Sequence, residues 1–166
     1  MPVVIGLGGN RWHGRHGRPE AVLRAAAEAL ADAGLEAVRL SRIRTTAPLG
    51  PRQRRFANAA ALGVWRGEPL ALLVRLKAIE RAFGRRRNRR WGPRVLDLDL
   101  LAFAEEVVRA PGLAVPHPGL SLRPFALQPL AELWPGWRHP VLNLPARALL
   151  IRLMKRRAID PLPPGS

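Results

Sequence analysis

Residues 90–103 read RWGPRVLDLDLLAF, and two carboxylates inside an otherwise apolar run decide how the chain is read. In an extended strand alternate residues share a face, so Asp97 and Asp99 point one way while Leu96, Leu98 and Leu100 point the other. Their Cα atoms then lie roughly 6.5 Å apart, a spacing at which two like charges are comfortable only in water or beside cations. The stretch is therefore a core strand with one face reserved for something other than packing.

Working outward, VVIGLG (residues 3–8) has the continuous apolar character of a buried strand, and the glycines of GLGGN supply turn chemistry at its end. RWHGRHGRP (11–19) reads as a loop. From Glu20 to Ala33, Val22, Ala26, Ala29 and Leu30 recur on one helical face, and Gly34 suits the C′ position. EAVRLSRI (36–43) alternates as a second strand, TTAPLGPRQRR (45–55) is a loop, and FANAAALGVW (56–65) returns as a strand. A helix follows within 68–84, with Leu72, Leu76, Ile79 and Phe83 on one face, Pro69 in its opening turn and Gly84 at its end. An arginine-rich loop leads from there into the Asp-bearing strand.

The order β-α-β-β-α-β is the split βαβ arrangement of ferredoxin-like folds, in which the first and last of these strands lie side by side in the middle of the sheet. Residues 112–135 predict an irregular loop and a helix, and residues 145–160 a further amphipathic helix before the frayed tail PLPPGS. The expected fold is α+β: a ferredoxin-like βαββαβ core with additional C-terminal helices, forming a three-layer α/β/α sandwich. One domain is expected over residues 1–160, with 161–166 as the tail.

The chain has 166 residues, 48% of them hydrophobic, enough for one globular core. It has no cysteine, which excludes disulfides, thiolate metal sites and cysteine nucleophiles, so any metal falls to carboxylates or histidines. No apolar run is long enough to span a bilayer and no secretory signal opens the chain, so a cytoplasmic protein is expected. The formal charge of +16 calls for an anionic partner, yet all but two of the 28 basic residues are arginine, which GC-rich coding alone would produce. Local placement of the arginines has to decide.

That placement is informative around the two aspartates. Arg85, Arg86, Arg87, Arg89, Arg90 and Arg94 lie just upstream, with Trp91-Gly92-Pro93 fixing the chain before the strand. Paired carboxylates suit Mg²⁺, whose remaining coordination positions take phosphate oxygens and water, and guanidinium groups grip phosphate bidentately. The combination suits phosphoryl or pyrophosphoryl transfer, whereas nucleic-acid binding alone does not need the two acids.

Elsewhere the residues leave alternatives open. Thr46, Phe56 and Asn58 flank a loop that, if it lines a pocket, offers an amide edge and an aromatic face to a flat heterocycle; Trp91 and Phe125 offer further stacking surfaces or core packing. His117, between prolines, contacts phosphate or hydrogen-bonds the backbone. Glu80 holds an arginine or forms an exposed pair with Lys77. His13 and His16 read as surface loop residues.

Together with the Asp-bearing stretch, TTAPLGPRQRRFANAA (45–60), AIERAFGRRRNRRWG (78–92) and VPHPGLSLRPFALQPLAELWP (115–135) resemble the 6-hydroxymethyl-7,8-dihydropterin pyrophosphokinases of folate biosynthesis. The resemblance runs in order through nearly the whole chain, and the W-G-P-R-x-L-D-L-D block is highly specific. It implies transfer of pyrophosphate from ATP to the hydroxymethyl group of the pterin, leaving AMP, with two Mg²⁺ held by Asp97 and Asp99. It also implies Arg85 and Arg94 as catalytic arginines, and Glu80, Arg87, His117 and Arg123 as residues of the ATP site. The pterin would lie between Phe56 and Phe125, with Thr46, Leu49 and Asn58 reading its edge and Trp91 closing over it. ATP and a reduced pterin are then the partners of a monomer that binds neither nucleic acid nor membrane. Gly9 stands where a serine is common in the family, and Phe56 where some members have tyrosine. The rival reading is an RNA-binding module on a ferredoxin-like sheet, although the aromatic RNP run and all tyrosines are missing.

Overall fold

The hydrophobic run at the N-terminus becomes β1 (Pro2–Gly9), whose residues alternate between two cores. Val3, Ile5 and Leu7 face one side of the sheet and Val4 the other. A computed structural model describes residues 1–10, 14–46, 56–84 and 95–159 of the chain. The remaining elements are α1 (Pro19–Asp32), β2 (Glu36–Leu40), β3 (Arg44–Thr46), β4 (Phe56–Val64), α2 (Pro69–Ala82), β5 (Asp97–Phe103), β6 (Val108–Ala110), β7 (Leu113–Val115), α3 (Pro124–Leu133) and α4 (Ala146–Ile159).

The main sheet is antiparallel in the order β2-β4-β1-β5, with β3 also on β4. This is the ferredoxin-like arrangement, and β1 and β5 are neighbours as expected. β5 is not central, however: among the described residues no strand lies beyond it, and the middle positions belong to β1 and β4. Its outer edge is therefore open to side chains, which matters for the site.

Helices cover both faces. Val22, Leu23, Ala26 and Leu30 of α1 and Leu72, Leu76 and Ile79 of α2 pack with Ile5, Leu7, Leu98 and Leu100, as their spacing predicts. On the opposite face Leu127, Leu130, Leu149 and Leu153 of α3 and α4 pack with Val4, Ala60, Leu101 and Ala102. The result is three layers, α/β/α. A register shift at Val4/Ile5 pairs Ile5 with Leu100 but Val4 with Ala102, leaving Leu101 as the extra residue. That bulge lets the uninterrupted run Leu100–Phe103 serve both cores.

Helix α1 ends as its sequence predicts: Gly34 has φ +110°, its N–H reaches the Ala31 carbonyl at 3.1 Å, and the Leu35 N–H reaches the Leu30 carbonyl at 3.1 Å. Two details differ from expectation. The strand expected over 36–43 is broken at Ser41, whose hydroxyl accepts the Ala60 N–H at 2.9 Å while its own N–H bonds the Ala60 carbonyl at 2.8 Å. A side-chain oxygen has replaced the backbone acceptor, so the chain steps out of register and restarts as β3. The segment expected to be an irregular loop from residue 112 opens with β7, which pairs with β6 just before it in a hairpin turned by Pro111 and by Gly112 at φ +75°. The expected tail at 161–166 lies outside the described residues. No helix of the described residues is long and apolar enough to cross a membrane.

Next to α4, the buried His139 accepts the N–H groups of Val141 and Leu142 on its Nδ1 at 3.2 and 3.1 Å and meets Trp137 edge-on at 5.5 Å. Burial lowers its pKa below the ordinary 6.5. The unfolded chain thus takes up this proton first, so the contribution of His139 is present above pH 6.5 and lost as the pH falls through the lowered folded value. Thermal melts from pH 8 to 5 are expected to show an acid loss of stability that is shallower in His139→Asn, which keeps an acceptor at that place without a titrating proton; identical slopes would contradict this.

Candidate functional site

The site grows from two rows of paired residues across three strands. Asn58 of β4, Gly8 of β1 and Asp97 of β5 are direct neighbours, and so are Ala60, Gly6 and Asp99. Directly paired residues present side chains on one face, so an amide and two carboxylates project to the same side with bare glycine between them. A Cβ on Gly8 would come within 3.2 Å of Asn58 Oδ1 and 3.5 Å of Phe56 Cε1. The glycines expected to form a turn instead continue the strand and make the floor of a cavity.

That cavity has a volume of about 450 Å³ and brings together Phe56, Asn58, Asp97, Asp99, Glu80, Arg123 and Phe125 of the sequence-predicted set. Phe56 (36% exposed) and Phe125 (45%) are large apolar groups left in solvent, which a core role for Phe125 would not produce. Asp99 is exposed and Asp97 half-buried. Among the described residues no third acidic or histidine side chain joins them in a metal-binding cluster. Leu98 and Leu100, between and beyond them, are buried, so the alternation inferred from the sequence holds.

Glu80 differs from one of its expected roles, the exposed pair with Lys77. It is not an exposed charge: it is 2% exposed, its Oε2 accepts the Leu98 N–H at 3.0 Å, and its Oε1 lies 3.3 Å from Lys77 Nζ. Lys77 also lines the cavity, a position that sequence reasoning missed because its helical face reads as solvent. His117 does not line the cavity. Its N–H donates to the Leu101 carbonyl at 3.0 Å and its Nδ1 accepts the Gly119 N–H at 3.1 Å. With Nδ1 an acceptor, the neutral ring carries its proton on Nε2. Arg123, the residue before α3, lies across Gly119: a Cβ there would meet Arg123 Nε at 2.8 Å and Cζ at 3.2 Å.

Thr46 ends β3 opposite Phe56. The strand is tied to α3 through Glu132, which accepts from Arg44 Nη2 at 2.9 Å and from the Arg42 N–H at 2.8 Å. His16, expected as a bare surface residue, stacks on Phe83 with ring centroids 5.3 Å apart, joining the basic loop after β1 to the end of α2. Leu49, Arg85, Arg87, Trp91, Arg94 and His13 lie outside the described residues.

The family model for 7,8-dihydro-6-hydroxymethylpterin-pyrophosphokinase (HPPK) matches residues 4–135. A Synechocystis protein named 2-amino-4-hydroxy-6-hydroxymethyldihydropteridine pyrophosphokinase is 38% identical over 138 residues, covering 83% of this chain and 69% of the relative. A Pseudomonas aeruginosa protein of the same name is 50% identical over 94 residues, 56% of this chain and 58% of the relative. Among solved structures, Plasmodium falciparum HPPK-DHPS with pteroate is similar in fold, with a TM-score of 0.74 at 14% identity. That likeness covers 96% of this chain and 45% of the Plasmodium chain.

Proposed function

The chain belongs to the 7,8-dihydro-6-hydroxymethylpterin-pyrophosphokinase family of folate synthesis, and we propose that its cavity carries out that family's pyrophosphoryl transfer with the residues described above. The observation that supports the reading is the pair of cross-strand rows: the Asn58 amide and the Asp97/Asp99 carboxylates share one sheet face, with glycine between them. An RNA-binding surface has no use for paired acids at its centre, and the family match gives that alternative no support.

The reduced pterin is held between Phe56 and Phe125, with its amide edge toward Asn58 and Thr46, and Leu49 and Trp91 completing the pocket. Gly8 lies between Asn58 and Asp97, so a pterin stacked flat there would turn its hydroxymethyl group toward the aspartates. Its oxygen forms the new bond to the β-phosphorus of ATP as the bond from that phosphorus to the α-phosphate oxygen breaks. AMP leaves, and the hydroxyl proton passes to water.

Asp97 and Asp99 fit a hard cation, being oxygen donors with room beside them for phosphate oxygens. They would hold two Mg²⁺, which when bound screen the triphosphate charge and orient the β-phosphorus. Arg123, with Arg85, Arg87 and Arg94, grips phosphate oxygens, and the Nε2–H of His117 is oriented as a further donor by Gly119.

Because Gly119 makes room for the Arg123 guanidinium, Gly119→Ala is expected to raise KM for ATP about fivefold, the equivalent of about 1 kcal/mol, with KM for the pterin unchanged. Steady-state kinetics with each substrate varied in turn checks this. The reaction type is tested by phosphorus NMR of the products. AMP with a pterin diphosphate is expected; ADP with a pterin monophosphate would contradict the assignment.

A further inference from the structure

Glu80 is a buried carboxylate at a place where helix α2 otherwise presents only apolar groups to the sheet. An uncompensated buried carboxylate costs several kcal/mol, so its surroundings have to repay it. They do so through Lys77, 3.3 Å away, and through the N–H of Leu98, 3.0 Å away. Leu98 is the residue between Asp97 and Asp99, on the strand whose outer edge meets no further strand among the described residues.

A β-strand held on one side only is the part of a sheet most free to twist and fray, and here it carries both carboxylates. At the Leu98 amide a bond from outside the sheet fixes the peptide linking them. We propose that Glu80 is a positioning residue for the Asp97/Asp99 pair: its bond to the Leu98 N–H sets the direction and separation of the two carboxylates, and thereby the affinity of the site for a divalent cation. The inference rests on the pyrophosphokinase reading and deepens it. It assigns Glu80 to the carboxylates rather than to direct contact with the nucleotide.

The contacts of Glu80 with Leu98 and with Lys77 separate chemically. Glu80→Gln keeps an oxygen for the Leu98 N–H and removes the charge facing Lys77, Glu80→Asp keeps the charge but withdraws it by one methylene, and Glu80→Met removes both. Two measurements apply: hydrogen exchange of the Leu98 amide in the ligand-free protein, and Mn²⁺ affinity by electron paramagnetic resonance with α,β-methylene-ATP present. The Leu98 amide is expected to stay protected in the wild type and Glu80→Gln and to exchange faster in the Asp and Met variants. Mn²⁺ affinity is expected to stay within about threefold of wild type for Gln and to fall roughly 10- to 100-fold for Met, the usual cost of losing a partner behind a metal ligand. The kcat should fall in parallel, with KM for the pterin unchanged.

A purely structural role would move stability in all three variants without this rescue by glutamine. Wild-type Mn²⁺ affinity in Glu80→Met would overturn the inference, as would a loss in Glu80→Gln as large as that in Met. If Met does not fold, the Gln and Asp pair decides in the same way. A wild-type protein that takes up no Mn²⁺ with the analogue and releases no AMP with the pterin would instead overturn the underlying reading.

Discussion

Replacing Asp99 with alanine is expected to lower kcat about a thousandfold or more while KM for the pterin stays within a few-fold of wild type. A thousandfold corresponds to about 4 kcal/mol, within the range a metal supplies by stabilising transferring charge. Asp99 is the exposed member of the pair, on a face where it supports no packing, so its removal should leave thermal stability unchanged or slightly raised by relief of repulsion from Asp97. The end of the cavity proposed to hold the pterin, at Phe56 and Asn58, is built on β4 and is separated from Asp99 by the glycines of β1. Kinetics and thermal melts on the same preparation check both halves of the statement. A loss of less than tenfold would mean that the carboxylates do not serve the reaction.

The second large effect is expected at the other end of the cavity. Phe56→Ala and Phe125→Ala should each raise KM for the pterin roughly 10- to 100-fold, since stacking a heterocycle on an aromatic side chain contributes about 1–3 kcal/mol. Neither should change KM for ATP much. Both side chains are substantially exposed in the ligand-free protein, so the loss is of binding and not of folding. Phe56→Tyr, which keeps the ring, should bind the pterin nearly as well as wild type. Fluorescence titration with the pterin measures these affinities directly, and a retained affinity in Phe56→Ala would remove that ring from the site.

The Asp-bearing strand was legible because alternation is a property of the extended backbone: Leu98 and Leu100 are buried and Asp97 and Asp99 are not, as a period of two requires. The buried faces of α1 and α2 were legible for the same kind of reason. What pattern could not reveal was which strand lies at an edge, because pairing partners are far apart in the chain: Gly8 of β1 pairs with Asn58 of β4 and Asp97 of β5. The burial of Glu80 follows from that edge. A carboxylate on a helix face next to Lys77 reads as solvated, and the open Leu98 N–H opposite, which no pattern shows, is a partner it turns inward to meet. Ser41 was invisible in the same way, since a hydroxyl standing in for a carbonyl leaves no periodic trace.

The glycines show a different limit. Gly8 looked like turn chemistry because glycine is common there, and its use as a bare floor between Asn58 and Asp97 depends on side chains from two other strands. The β6–β7 hairpin, in contrast, carried its signal in Pro111-Gly112, a pair suited to a turn that needs positive φ at its second position.

The most direct test of the account is AMP release from ATP and Mg²⁺, measured with and without 6-hydroxymethyl-7,8-dihydropterin, in the wild-type protein and in Asp97→Ala. The account predicts AMP only when the pterin and both carboxylates are present, one AMP for each pterin consumed. AMP formed equally without the pterin, or at an equal rate in Asp97→Ala, would contradict it.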